Sequence, residues 1–176
     1  AFLDNGVPAQ TASAASGNYA MVGSVPIKNA SRQTLDTAAL ADGSFSAALS
    51  EQAPQVLIVH THGSEAYTMP AGEEYAATGS FRTDDATRSV VRVGDEIAAV
   101  LSSYGISVLH DRTLHDSPSY NGAYARSLTS IEGYLEKYPS LSFVLDVHRD
   151  AVQDASGQQY KLVSREEPHA AQISLV

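Results

Sequence analysis

The stretch that decides the fold is Val56-Leu57-Ile58-Val59-His60-Thr61-His62-Gly63-Ser64-Glu65. Its four aliphatic residues run without any polar alternation, the pattern of a strand covered on both faces in a parallel sheet. The chain then turns polar at once, and ligands in open α/β sheets bind beyond the carboxyl ends of the strands. Downstream, residues 86–104 read as a helix, because Val90, Val93, Ile97 and Leu101 recur at spacings of three and four. Gly105 ends it, and Ile106-Ser107-Val108-Leu109 reads as the next strand. Residues 123–137 repeat the helical pattern with Tyr124, Leu128, Ile131 and Leu135. Tyr138-Pro139 closes that helix, and residues 141–147 read as a third strand. Weaker strands are expected at 159–163 and 171–176. Strand, helix, strand, helix, strand predicts the α/β class: three αβα layers around a mixed, largely parallel sheet.

Upstream the texture differs. Only Asp4, Lys28, Arg32, Asp36 and Asp42 are charged among the first fifty residues, and Ala9 to Gly17 is a low-complexity stretch of small residues. Such a stretch buries too little apolar area to offset its ordering entropy, so residues 1–20 are expected to form a flexible arm or linker and 21–176 a single domain. Val22, Val25 and Ile27 predict a short strand that Pro26 confines to an edge. Leu35, Leu40 and Leu49 have a loose helical spacing that Gly43 interrupts.

Composition removes several function classes. The 176 residues carry 11 Lys and Arg against 20 Asp and Glu, a net charge of −9. Binding to a phosphate backbone needs clustered cations, so a nucleic-acid partner is not expected. No apolar run approaches the ~20 residues of a membrane span. An anchor, if the protein has one, is expected outside this sequence. Zero cysteines exclude disulfides and thiolate metal sites. There is no Gly-x-Ser-x-Gly elbow, Walker A loop or Gly-x-Gly-x-x-Gly turn, so serine-hydrolase and nucleotide chemistry lack support.

Polar residues gather where each strand ends. The first strand runs into His60, His62 and Glu65, the second into His110, Asp111, Arg112, His115 and Asp116, and the third into Asp146, His148, Arg149 and Asp150. Five of the six histidines therefore follow strand ends, with carboxylates beside them. His62-x-x-Glu65 is the sharpest element. Imidazole nitrogen and carboxylate oxygen both suit Zn²⁺, Gly63 permits a tight turn, and a catalytic site needs three protein ligands and an open position. Alternation along the third strand puts Val144, Asp146 and His148 on one face, making His148 the candidate third ligand. Two histidines and a glutamate are a ligand set of zinc hydrolases. His60 is adjacent and could replace His62 as a ligand, but reads first as a sheet-face histidine bonded to backbone or as a support for the site. Asp146 reads as a ligand or as the group orienting a histidine. His110 and His115 read as loop histidines or substrate contacts rather than ligands, and His169 as surface. Arg112, Arg126, Arg149 and Asn121 are candidate substrate contacts, and each arginine also reads as an ion-paired surface residue. The turn Ser119 to Gly122 also reads simply as a helix start capped by Ser or Asn.

Four segments together carry a resemblance. His60-Thr-His-Gly-Ser-Glu-Ala-Tyr67, Val91-Arg-Val-Gly-Asp-Glu96, His110-Asp-Arg-Thr-Leu-His-Asp116 with Ser119-Tyr-Asn-Gly122, and Leu145-Asp-Val-His-Arg-Asp-Ala151 resemble the stage II sporulation protein P family, from about residue 22 to the end. The resemblance implies an extracytoplasmic, membrane-anchored peptidoglycan hydrolase that acts as the mother cell engulfs the forespore. It implies a zinc amidase-like and carboxypeptidase-like fold, cleavage of the N-acetylmuramoyl-L-alanine amide and of stem-peptide cross-links, and sporulation proteins D and M as partners. His62 and His148 match the family's metal-site histidines. Relatives place a glutamate ligand at the start of the helix after the first strand, where this chain has Asp84-Asp85-Ala86-Thr87-Arg88, so Glu65 is taken as the ligand. The family's general-base glutamate lies on a strand well beyond Asp146-Val-His-Arg-Asp150, and Glu166 and Glu167 do not match it. That glutamate is therefore expected beyond Val176, and the chain is expected to lack the C-terminal part of its domain. The alternative is a non-catalytic wall-binding or assembly module, with no zinc or with a structural zinc closed by His60 or Asp146.

Overall fold

A computed structural model describes residues 9–11, 19–22, 25–29, 34–42, 47–69, 71–163 and 173. The elements in chain order are β1 (Ala9–Thr11), β2 (Ala20–Val22), β3 (Val25–Ile27), α1 (Thr37–Ala41), β4 (Val56–Val59), α2 (Val90–Ser103), β5 (Val108–His110), α3 (Ala123–Lys137), β6 (Phe143–Asp146), β7 (Val152–Gln153) and β8 (Gln159–Val163). The strand expected at 171–176, His169, Glu166 and Glu167 lie outside the described residues. So does Val176, and with it the expectation that a general-base glutamate lies beyond that residue.

The fold is mixed α/β around a parallel sheet of order β5-β4-β6. Val56 sits opposite Val108 on one side and Phe143 on the other, which aligns the carboxyl ends of all three strands. Parallel neighbours need a crossover, and the long helices α2 and α3 supply it. β4 is the centre of the core. Val56, Leu57, Ile58 and Val59 are all buried, as a strand with neighbours on both edges and cover on both faces must be. β2 and β3 form an antiparallel hairpin, and β1 pairs in parallel with β8, which also pairs with β7.

Three features differ from expectation. α2 starts at Val90 and not at residue 86, because the backbone of Ser89 is extended and pairs with Ala66 while its side chain caps Val91 N. Asp85 meanwhile accepts from Thr87 N and Oγ1, holding the preceding residues in a turn. α3 is capped by neither Ser119 nor Asn121: its N-cap is Gly122, at φ 83°, a conformation glycine adopts without strain. The α3 side chains that read as its apolar stripe also point elsewhere. Tyr124, Leu128 and Leu135 are exposed, and the buried residues are the small Ala123 and Ser127. Ser127 lets the helix approach the end of β4 closely, with its Oγ 2.7 Å from Thr61 Oγ1.

Candidate active site

The residues that follow β4, from His60 to Ala66, are all buried. Their polar groups must therefore find partners within the protein. Glu65 N closes a turn by donating to His62 O at 3.0 Å. Asp146, at the end of β6, accepts from Thr61 N at 2.8 Å and from Thr61 Oγ1 at 2.7 Å, so two strand ends are tied together. Burial works against the charge on Asp146, but the bonds from Thr61 and His148 outweigh it and hold its carboxyl below the usual range. The same carboxylate lies 3.0 Å from His148 Nε2.

This scaffold brings His62, Glu65 and His148 together. The His62 and His148 rings have centroids 5.4 Å apart, and His148 Nδ1 lies 3.7 Å from Glu65 Oε2. Glu65 Oε2 also accepts from Arg149 N at 2.9 Å. His62 is packed face to face with Tyr120 at 4.5 Å and edge-on to Tyr124 at 5.2 Å. Burial lowers the pKa of His62, against the opposing pull of Glu65 and Asp116, and so favours the neutral ring that can ligate a metal. Its Nδ1 is buried, has no hydrogen-bond partner and stands 4.0 Å from Asp116 Oδ2. At His148, Nε2 faces Asp146 and Nδ1 faces Glu65, so the ring stands between two carboxylates. Among the described residues no three such groups stand in a metal-holding arrangement. His148 is turned toward Asp146, and its side chain is the more open, 32 % exposed against 6 % for His62.

The remaining candidates divide. Arg149 is at the site: its guanidinium carbon lies 5.9 Å over the Phe81 ring, and its buried Nε has no partner. Arg126 spends its guanidinium on the carbonyls of His115, Ser119 and Asn121, and so fastens the loop that presents Tyr120. Arg112 pairs with Asp95, away from Glu65. Asn121 is exposed and offers its carbonyl to Arg126. His60 is fully buried behind the site, with Nδ1 3.0 Å from Val147 O and Nε2 2.9 Å from His110 Nε2. His110 Nδ1 continues to Asp95 Oδ1 at 3.1 Å. Burial lowers the pKa of both rings. Gly94 of α2 makes room for this pair, since a Cβ there would lie 2.5 Å from His110 Nε2 and 2.6 Å from His60 Nε2. His115 is buried between His60 O (3.1 Å) and Ser130 Oγ (2.9 Å), a role in packing the loop.

Two residues at the site had no role assigned from the sequence. Asp116, with a fully buried side chain, accepts from Ser64 N at 3.0 Å, from Ser64 Oγ at 2.5 Å and from Arg82 Nη1 at 2.5 Å. Arg82 also reaches Glu65 Oε1 at 3.5 Å and lies 5.0 Å over the Tyr120 ring. Asp116 stood inside a quoted motif and close to His115, a usable signal. Arg82 had none, for it lies in an irregular loop that backbone bridges Glu65–Arg82 and Ala66–Ser89 fold against the turn. Phe81, just before it, is the one non-glycine residue with positive φ (53°) among the described residues.

Stage II sporulation protein P (SpoIIP) is the family whose model matches the chain, over residues 9–176. The chain belongs to that family. Membership assigns the protein to sporulation and to the engulfment step, and members are generally described as peptidoglycan hydrolases. No curated protein and no solved structure matches the chain. The SpoIIP match takes in the short strand β1, inside the stretch whose composition reads as an arm. Among the described residues of this SpoIIP chain, no helix is long and apolar enough to cross a membrane.

Proposed function

We propose that this SpoIIP member is a zinc-dependent peptidoglycan hydrolase that cleaves the N-acetylmuramoyl-L-alanine amide, with activity on stem-peptide cross-links as well. The observation that carries this reading is the meeting of His62, Glu65 and His148 at two adjoining strand ends, with the buried Nδ1 of His62 unpartnered. Two imidazoles and a carboxylate are donors that suit zinc and leave a position for water. When bound, zinc supplies an acidified water and a polarised scissile carbonyl.

The protein's own groups supply positioning. Asp146 holds His148 and Thr61 in one place, so the two strand ends keep their spacing. Arg82 and Asp116 fix the turn that carries His62 and Glu65. Tyr120 covers the His62 ring and excludes water from that face. Arg149, whose backbone N holds Glu65 and whose guanidinium lies over Phe81 without an ion-pair partner among the described residues, is the candidate for binding a substrate carboxylate or carbonyl. The general base in this reading is a glutamate, as the resemblance implies, and none of His62, Glu65 and His148 takes that role. The reading extends to a zinc amidase-like fold, a membrane anchor, a location between forespore and mother-cell membranes, and partnership with sporulation proteins D and M. Family membership and the resemblance of its motifs support these.

Zinc content and wall digestion test the reading. The wild-type protein should hold one zinc, and His62→Ala and His148→Ala should each lose most of it. Purified cell wall should release free stem peptides with wild type and none with either variant. Undiminished zinc in both variants overturns the ligand assignment.

A further inference from the structure

A second concavity adjoins the site. It has a volume of about 220 Å³, and its walls include Tyr67, Met69, Glu73, Tyr75, Arg88 and Arg92. Sites that engulf a whole small ligand occupy ~300–1,000 Å³, so this one admits a short segment of a longer molecule. It continues directly from the turn that carries Glu65. Tyr67 follows Glu65 by two residues, Ala66 pairs with Ser89, and Val90 N donates to Glu65 O at 2.7 Å. The backbone N of Arg149 donates to Glu65 Oε2, so the same turn that leads into the cleft is tied to the residue after His148.

The walls are set by the chain itself. Tyr75 OH donates to Tyr67 O at 3.1 Å, and Tyr75 N approaches Met69 Sδ at 2.9 Å, so these three residues are held together along one wall. Burial raises the pKa of both tyrosines, which keeps the phenols protonated. The opposite wall is cationic in a chain of net charge −9. Arg88 and Arg92 stand at the start of α2, whose first turn holds no acidic residue. Cations there oppose the helix dipole, and an anion is what that end favours. Their partners are weak ones. Arg88 reaches Glu73 at 3.3 Å and Arg92 pairs with Glu96, and all four side chains are more than 40 % exposed. Exposed ion pairs of this kind contribute little and yield readily to a better anion. A guanidinium prefers a carboxylate it can grip with two parallel bonds.

We propose that this cleft is a subsite for the carboxylate-bearing peptide segment of the substrate, gripped by Arg88 and Arg92 and laid against Tyr67 and Tyr75. The inference rests on the peptidoglycan reading above for the identity of that peptide. The cleft then sets which side of the scissile bond is held: the peptide runs along α2 while the bond to be cut lies over Glu65 and His148.

The test compares N-acetylmuramoyl-L-alanyl-D-glutamate, carrying free carboxylates, with its carboxamide counterpart, by calorimetric titration into the full chain. The acid should bind at least about tenfold more tightly than the amide, the scale of one charge-assisted bond, and the preference should shrink as salt rises. Arg88→Ala with Arg92→Ala should abolish the preference while zinc content stays at the wild-type level. Equal binding of acid and amide by wild type overturns the proposal without reference to any variant, as does a preference that survives in the double variant. The two readings fail separately. Acid preference without zinc or wall digestion leaves the cleft standing and removes the hydrolase. Zinc and digestion without acid preference remove the cleft alone.

Discussion

β4 and β6 are adjacent, parallel and in register, yet they live in different environments. Every residue of β4 is buried, and burial continues unbroken through Ala66. In β6, Val144, Leu145 and Asp146 are exposed, the two aliphatic residues at 39 % and 38 %. The candidate site straddles this boundary. His62 and Glu65 come from the dry side and are locked by Asp116, Arg82 and Arg149, whereas His148 comes from the wet side and is held chiefly by Asp146. The lesson is that sheet position, more than residue type, decides how firmly a side chain is held.

The largest effect should come from truncating the dry strand. Leu57→Ala should cost ~2–5 kcal/mol of unfolding free energy, since Leu57 has no exposed surface and its cavity cannot fill. Leu145→Ala should cost no more than about half as much, because part of that side chain already faces water. Urea unfolding of the two variants measures both, and equal losses would erase the distinction between the strands. Gly94→Ala comes next. A methyl at 2.5 Å from His110 Nε2 forces the His60–His110 pair apart, for a net loss of ~1–3 kcal/mol despite alanine's better helix propensity. A neutral or stabilising outcome in the same assay would show that the rings can move aside.

The smallest effect concerns acid. Burial depresses the pKa of His60, His62 and His110 below the ordinary 6.5, so the unfolded chain takes up protons there before the folded one does. Stability should thus fall as pH drops through 6.5 and below, and be steady above it. Asp146 and Asp95, also depressed, add a further loss below their ordinary 3.8. A melting temperature lower by a few degrees at about pH 5 than at about pH 7.5 is expected, and a rise on acidification would contradict the assigned burial.

Much of this was legible in the sequence, for local reasons. β4 and α3 have the expected bounds because an unbroken aliphatic run and a strong helical period carry their own signals. The meeting of His62, Glu65 and His148 was readable because parallel register aligns strand ends. What was not readable depends on long-range packing. Nothing local says that α3 buries Ala123 and Ser127 in place of Leu128, since that choice is made by the Thr61 hydroxyl across the sheet. Arg82 was invisible because its role needs a loop to fold back over Glu65, and loops carry no periodicity. Ser89 ended a predicted helical turn because pairing with Ala66 won over helix propensity.

Phe81 shows how that loop is kept in place. A phenylalanine at φ 53° stores backbone strain of ~1–3 kcal/mol, so its neighbours must over-determine it. They do: Ala66 N donates to its carbonyl at 2.8 Å, Arg82 N turns back to Gly79 O, and Arg149 lies over its ring. The reversed backbone lets consecutive side chains serve two partners, Phe81 beneath Arg149 and Arg82 against Asp116. The groups that the loop serves are thus the same ones that hold Phe81 in its unfavourable backbone conformation, so support and site depend on each other.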